Sequence, residues 1–375
     1  MEIYLSYYSV PLWFGFIQAW IYAFLLWNRS RQNGRLSDIL LGLVLVGMAL
    51  NIWEYMLGFS GIEILWKQLN FFPRTFGFAF APLCYFYFKS QIDKDFSFSK
   101  KDIINFLPFI IHTVYHVGVF SMGQDFVKVV EKNFHGPFYI PEIETLVEIF
   151  LNGLYIYKSL KLYRQYRIWT NTQFSDTDAV SFKWFRNFLI VLVLMFMVYL
   201  IKMIIIRVYQ LDFKQDWWDN LVGVALIYYV SITGYAQAQP NTGLVFREEE
   251  FKVENIQKEK FNESELDNWK LKILKLMEDD KLYLQPELNL SDIANRLKTN
   301  ISVLSGVVNS AFGKNFNDFV NEYRVKEFQE RIVLPENKNI TLLGIAFDCG
   351  FNSKATFNRA FKKFTGKSPK DFLVE

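Results

Sequence analysis

The chain has 375 residues, 51% hydrophobic, 18% aromatic and only 21% charged, with a formal net charge of +3. That length leaves room for two or three domains, and so many large apolar side chains, 39 of them Phe, exclude a single ordinary soluble domain. The apolar runs crowd into the first 240 residues, and the last 130 read as a soluble domain. The N-terminus has no basic residue before its first apolar run, which argues against a cleaved signal peptide. Cys84 and Cys349 fall in different predicted environments, so no disulfide is expected, and Cys349 suits a reducing cytosol.

A membrane-spanning helix needs about 20 mostly apolar residues. Seven stretches qualify: 10–27, 39–57, 71–88, 103–120, 143–157, 188–206 and 220–236. The second and sixth are the most apolar (ILLGLVLVGMAL and FLIVLVLMFMVYLI), whereas the fourth and fifth carry His112, His116, Glu148 and Asn152. Pro73, Pro82 and Pro108 are expected to kink or begin spans. Basic loop residues set orientation. Thirteen Lys and Arg follow the first, third and fifth spans, against five in the alternate loops. That bias places the N-terminus outside and the C-terminal tail in the cytoplasm.

Ionisable residues within spans are costly and face the bundle interior. Here they are Glu54, Arg74, Glu148 and Lys202, with Asn51 and Asn152 as polar company. Glu54 and Arg74 lie near the outer ends of consecutive spans and are placed to pair. His112 and His116, four apart, share a helix face as metal ligands do. No further Cys or His is near them in sequence, so hydrogen-bonding histidines are expected and no metal is assigned. Glu54, Arg74, His112 and His116 are the candidate intramembrane signal site, with structural pairing as the plainer reading.

Residues 240–263 form a charged, solvated linker (FREEEFKVENIQKEK). A helix over 264–277 follows, with Leu266, Trp269, Ile273, Leu276 and Met277 on one face and Ser264 as N-cap; packing is its expected role. Two similar patterns then recur about fifty residues apart. In the first, LSDIANRL (290–297) is a short helix, Thr299 and Asn300 the turn, and 301–312 a second helix with Leu304, Val307 and Val308 inward. In the second, TLLGIAFDC (341–349) is the short helix with Thr341 as N-cap, Gly350 the turn, and 353–364 the second helix with Phe357, Ala360, Phe361 and Phe364 inward. These are helix-turn-helix patterns, joined by a connecting helix over 317–332. From Gly350 to Lys370 there are six basic residues and no acidic ones, so the second unit is suited to neutralising phosphates.

At this point a family emerges. IAFDCGFNSKATFNRAFKKFTGKSPKDF (345–372) and FGKNFNDFVNEYR (312–324) resemble the DNA-binding domain of the AraC family of bacterial transcription regulators. The resemblance covers about a quarter of the chain. The arrangement of seven spans before this domain, with APLCYFYFKS and NFLPF, resembles membrane-bound members of that group. It implies that the N-terminal part of each recognition helix enters the major groove. In the second unit the matching residues are Ser353, Lys354, Ala355, Thr356 and Arg359, with Asn358 near the DNA backbone; Lys362 and Lys363 are assigned to phosphates. In the first unit they are Ser302, Ser305, Gly306 and Asn309, whose short side chains suit shape and phosphate readout. Two departures are Lys298 in place of a turn glycine, and Phe328 where the family often has Ala.

The sequence therefore predicts an all-α chain: a seven-helix transmembrane bundle (1–239), the linker, and a cytoplasmic domain (264–375) with helix-turn-helix units at 290–312 and 341–364. The function expected is sequence-specific DNA binding coupled to a membrane or extracytoplasmic signal, in a bacterial inner membrane. The alternative is a transporter or channel bundle with a regulatory, partner-binding tail. No zinc-protease motif, nucleophile elbow or phosphate-binding glycine loop occurs, so no enzyme is expected, and no cofactor is called for. Expected partners are double-stranded DNA, the lipid bilayer and a small-molecule or protein signal; a homodimer, the operator and release by proteolysis are left open.

Overall fold

The computed structural model describes residues 5–64, 68–74, 76–93, 95–177, 183–209, 212–215, 217–237, 246 and 262–372. They are helical throughout, apart from one isolated bridge between Phe174 and Asn289. Two compact units emerge. One comprises Met1–Tyr163 and Lys183–Gln239, the other Arg164–Phe182 and Pro240–Glu375.

The first unit contains α1 (Ser9–Asn33), α2 (Leu36–Phe59), α3 (Gly77–Ile92), a 3-10 turn (Asp102–Phe106) running into α4 (Leu107–Ser121), and α5 (Gln124–Val130) followed by a π turn. It also holds the start of α6 (Ile140–Gln173), then α7 (Lys183–Tyr209) and α8 (Trp217–Ala236). The helices α1, α2 and α8 pack together. Gly15 permits this approach, since a Cβ there would lie 2.7 Å from Val224 Cγ2. Arg29 closes the end of α1. Its Nε and Nη2 donate to Asp38 on α2 at 2.8 and 2.7 Å, and Nη1 donates to the Tyr235 carbonyl at 2.6 Å.

Four helical stretches among the described residues are long and apolar enough to cross a membrane: Ser9–Asn33, Leu36–Phe59, Asp102–Ser121 and Lys183–Ile206. The spans expected at 71–88, 143–157 and 220–236 fall largely on α3, α6 and α8, which do not reach the same standard. The first is short at 16 residues, and the second is a 34-residue helix broken up by charge. Large apolar side chains point outward on the qualifying helices, including Phe24 on α1, Ile111 and Val114 on α4, and Leu194 and Ile204 on α7.

In the second unit, α9 (Glu263–Glu278) is capped by Asn262, whose side chain accepts from the Glu265 N–H, and not by Ser264. Its apolar face packs as the periodicity predicts, with Ile273 and Met277 fully buried. A 3-10 turn (Leu282–Leu284) leads into α10 (Leu290–Leu297), α11 (Ile301–Phe312) and α12 (Phe316–Ile332). A second 3-10 turn (Pro335–Asn337) precedes α13 (Leu342–Asp348), α14 (Lys354–Thr365) and α15 (Pro369–Phe372). Thr341 caps α13 by accepting from the Gly344 N–H at 3.1 Å.

Two separate cores result. One unites α9, α10 and α11 with Phe316, Phe319 and Val320 at the start of α12. The other unites α13 and α14 with Val325 and Phe328 further along α12. The connecting helix is therefore a shared spine. Cys349 is buried in the second core, and burial pushes its thiol up to about 12, so it stays protonated. Of the expected linker over 240–263, residues 240–245 and 247–261 lie outside the described residues. Phe246 is buried and lies against Tyr166 and Trp169 of α6, ring centroids 5.7 and 5.5 Å away.

The turn of the first unit holds Lys298 at φ 53, in the left-handed region. A non-glycine residue there is strained. Lys298→Gly is expected to stabilise the domain by up to about 1 kcal/mol. Slower hydrogen exchange of the α10 and α11 amides would show it; unchanged exchange would mean that the turn stores no strain.

Candidate nucleic-acid interface

The second recognition helix, α14, begins at an N-cap made by Ser353, whose hydroxyl accepts from the Thr356 N–H at 3.1 Å. One side of the helix (Phe357, Ala360, Phe361) enters the core, so the opposite side must face out. Lys354, Ala355, Asn358, Arg359, Lys362 and Lys363 are all exposed there. Positive charge and the helix N-terminus coincide on this face, which favours an anionic partner. Lys363 is not idle within the domain, since its Nζ lies 2.6 Å from Asp318 at the start of α12.

Thr356 is placed differently from its neighbours. It is only 1% exposed, and its hydroxyl donates to Asp176 at 3.2 Å. Arg359 Nη2 also donates to Thr356 Oγ1, at 3.5 Å. Thr356 therefore orders the start of the helix from within the domain, in the conformation described.

In the first unit, α11 exposes Ser302 and Asn309, while Ser305 and Gly306 are half-buried. The Asn309 amide donates to the Ser305 carbonyl at 2.9 Å and so is partly occupied by its own helix. This face offers few long donors.

Gly350, the turn of the second unit, has φ 90, and a Cβ there would lie 2.5 Å from the Tyr283 carbonyl oxygen. The glycine is required twice, by conformation and by this close approach. The same carbonyl accepts from Arg324 Nε at 2.7 Å. Arg324, fully buried on α12, also donates from Nη2 to the Gln285 carbonyl at 2.8 Å and to Ser175 Oγ at 3.1 Å. Burial draws its guanidinium down to about 10, with Asp176 and Cys349 opposing, so it is charged at neutral pH.

Segment 174–177 was read from sequence as part of a basic loop in the membrane domain. It belongs instead to the second unit, because its polar groups are satisfied there. Ser175 N–H and Oγ both donate to the Leu288 carbonyl, at 3.1 and 2.5 Å. Asn317 and Asn321 donate to the Ser175 carbonyl at 2.7 and 3.2 Å. The N-terminal membrane domain expected over 1–239 thus gives up 164–182 to the second unit.

One turn beyond Arg324, Glu327 is enclosed by donors. Tyr283 Oη donates at 2.6 Å, Arg331 Nε at 2.7 Å and Lys281 Nζ at 3.1 Å. Burial alone would raise this carboxyl, but those three donors outweigh it and hold the group down at about 2. A depressed folded value means that its stabilising contribution is complete above the ordinary value of 4.5 and is lost as pH falls towards about 2. An acid titration of the full-length protein followed by hydrogen exchange is expected to lose protection in the C-terminal domain across that window. Glu327→Gln should start less stable and show a flatter curve there; a parallel curve would exclude this carboxylate as the acid-sensitive group.

In the first unit of the chain, Arg74 Nε and Glu54 Oε1 pair at 2.5 Å, as their positions predict. Asn51, Glu148 and Asn152 line one cavity together with Cys84, Tyr155 and Tyr199. Lys202 pairs with Asp219 of α8 at 2.8 Å. The rings of His112 and His116 lie 4.1 Å apart, and Glu144 of α6 approaches both. The structure thus supplies a third possible ligand that the sequence reading, which looked for nearby Cys and His, did not find.

Residues 293–374 match the family described as a helix-turn-helix domain. Over 88 residues the chain is 30% identical to the Msm operon regulatory protein of Streptococcus mutans, covering 24% of this chain and 31% of that protein. It is 29% identical over 92 residues to uncharacterized HTH-type transcriptional regulators of Staphylococcus aureus strains COL and MSSA476, covering 24% of this chain and 12% of each of those proteins. The matched stretch thus spans about a third or less of these curated relatives. No solved structure matches the chain. The C-terminal domain is an AraC-type helix-turn-helix domain, akin to those of transcriptional regulators.

Proposed function

We propose that this chain is a membrane-bound, sequence-specific DNA-binding regulator of transcription that couples a signal at the membrane to gene expression. The observation that carries the reading is the exposed basic face of α14, the second helix of a helix-turn-helix unit within a matched helix-turn-helix domain. The outward apolar surfaces of α1, α4 and α7 support a lipid environment, since patches of that extent are not kept in water. The basic loops favour the seven-span arrangement with the N-terminus outside and the tail inside. The helix α6 begins in the first unit and ends in the second, which gives a signal a covalent route to the domain.

Selection from random DNA by the full-length protein in nanodiscs tests this. The expected product is one well-defined half-site under α14 and a degenerate one under α11. Arg359→Ala should relax one or two base pairs and weaken specific binding roughly 5- to 150-fold, corresponding to about 1–3 kcal/mol for a bidentate base contact. Loss of affinity that is equal for every sequence would make Arg359 a phosphate contact. Failure to enrich any motif would remove the regulator reading, leaving the tail as a partner-binding module. A reporter fused after Glu375 should be active in the cytoplasm; periplasmic activity would reverse the proposed topology.

A further inference from the structure

We propose that His112 and His116 of α4, with Glu144 of α6, form a binding site for a divalent transition-metal ion, zinc being the best fit, with water or a ligand completing the coordination. All three residues belong to the first unit, so the site needs no assumption about DNA binding.

The argument starts from spacing. Residues four apart on a helix stack on one face, which brings the two imidazoles to 4.1 Å between centroids. Glu144, in the first turns of α6, sets Oε1 3.7 Å from His112 Nε2 and 3.6 Å from His116 Nε2. Those separations exceed a hydrogen bond. They are close to the edge of a tetrahedron whose centre lies 2.0–2.2 Å from each corner, an edge of about 3.4 Å. The ligand atoms of the three residues all lie within 4.8 Å of one another, within reach of a single ion.

The second observation concerns which nitrogens are available. His116 Nδ1 lies 3.2 Å from the Phe71 carbonyl oxygen, which can only accept, so Nδ1 carries the proton and Nε2 keeps its lone pair. That Nε2 is buried and has no hydrogen-bond partner among the described residues. A histidine whose far nitrogen is fixed by a carbonyl and whose near nitrogen is left bare is the arrangement of a metal ligand with its supporting shell. His135, the remaining histidine, is held away by the Tyr115 hydroxyl at 2.9 Å and lies 6.3 Å from the His116 ring. Two imidazoles and one carboxylate suit zinc with an open fourth position.

The test uses full-length protein, purified through a tag without histidine and titrated with zinc chloride against a competing chelator. The wild type should bind one zinc per chain, and His112→Ala, His116→Ala and Glu144→Gln should each weaken binding at least about tenfold. His135→Ala should leave the affinity unchanged. Because a variant can fail through misfolding, X-ray absorption of the zinc-loaded wild type provides an independent reading. It should show two imidazoles in a first shell at about 2.0–2.1 Å. No stoichiometric zinc, equal affinity in wild type and cluster variants, or fewer than two imidazoles would each overturn the site. None of these outcomes depends on whether the domain binds DNA.

Discussion

Phe328→Ala is expected to unfold the second helix-turn-helix unit while leaving the first standing. Phe328 is fully buried on the α12 spine, with its ring centroid 4.7 Å from Phe357 and 5.5 Å from Phe361, the two aromatic anchors of α14. Removing a buried Phe costs about 3–5 kcal/mol, the transfer loss plus the cavity left behind. That is a large part of the total stability of a small domain. The damage should be local, because the two cores are built from different residues and share only the helix. Hydrogen exchange of the full-length protein should show α13 and α14 losing protection while α10 and α11 keep theirs. Even loss across both units would mean that they form a single cooperative core. Phe328 thus fills the space between α12 and α14.

Arg324→Met is the second large effect, and it should spread where the first does not. Methionine fills similar space without a donor, so the Tyr283 and Gln285 carbonyls and the Ser175 hydroxyl lose their shared partner. Each buried group left unsatisfied costs about 1–3 kcal/mol, and the total expected is about 3–5 kcal/mol because the losses overlap. Lysine should not restore it, since one ammonium cannot serve acceptors placed for a planar fork. Faster exchange of the Ser175 amide, which bonds to the Leu288 carbonyl at 3.1 Å, is the direct readout. Unchanged exchange there would mean that segment 174–177 is held by its other contacts and Arg324 is dispensable to it.

What could be read from the sequence was what repeats or caps. The first unit's helices fall at 290–297 and 301–312 as their periodicity requires, and Ser353 and Thr341 sit at helix starts because their hydroxyls compete for free N–H groups. The Glu54–Arg74 pair was legible because two charges in neighbouring apolar runs have few other partners. Contacts made across long sequence separations left no such trace. Ser175 and Arg324 are 149 residues apart, and nothing local marks a serine in a polar stretch as buried. Arg324 itself reads as a surface residue of an amphipathic helix. Glu144 was passed over because it lies on another helix, distant in sequence from the two histidines, where only nearby Cys and His had been expected as ligands. Thr356 was assigned to bases by position in the motif, yet its side chain is buried against Asp176.

The attachment of 174–177 to the domain bears on how the domain would be set free. The chain passes between the two units three times, along α6, again after residue 182, and after residue 239. A protease cutting only after residue 239 would sever the backbone without separating the pieces. Asn317, Asn321 and Arg324 would still grip Ser175, and the cut domain would stay leashed to α6 by buried hydrogen bonds. Liberation would take more, either cuts on both sides of 174–177 or the withdrawal of Ser175 from its seat.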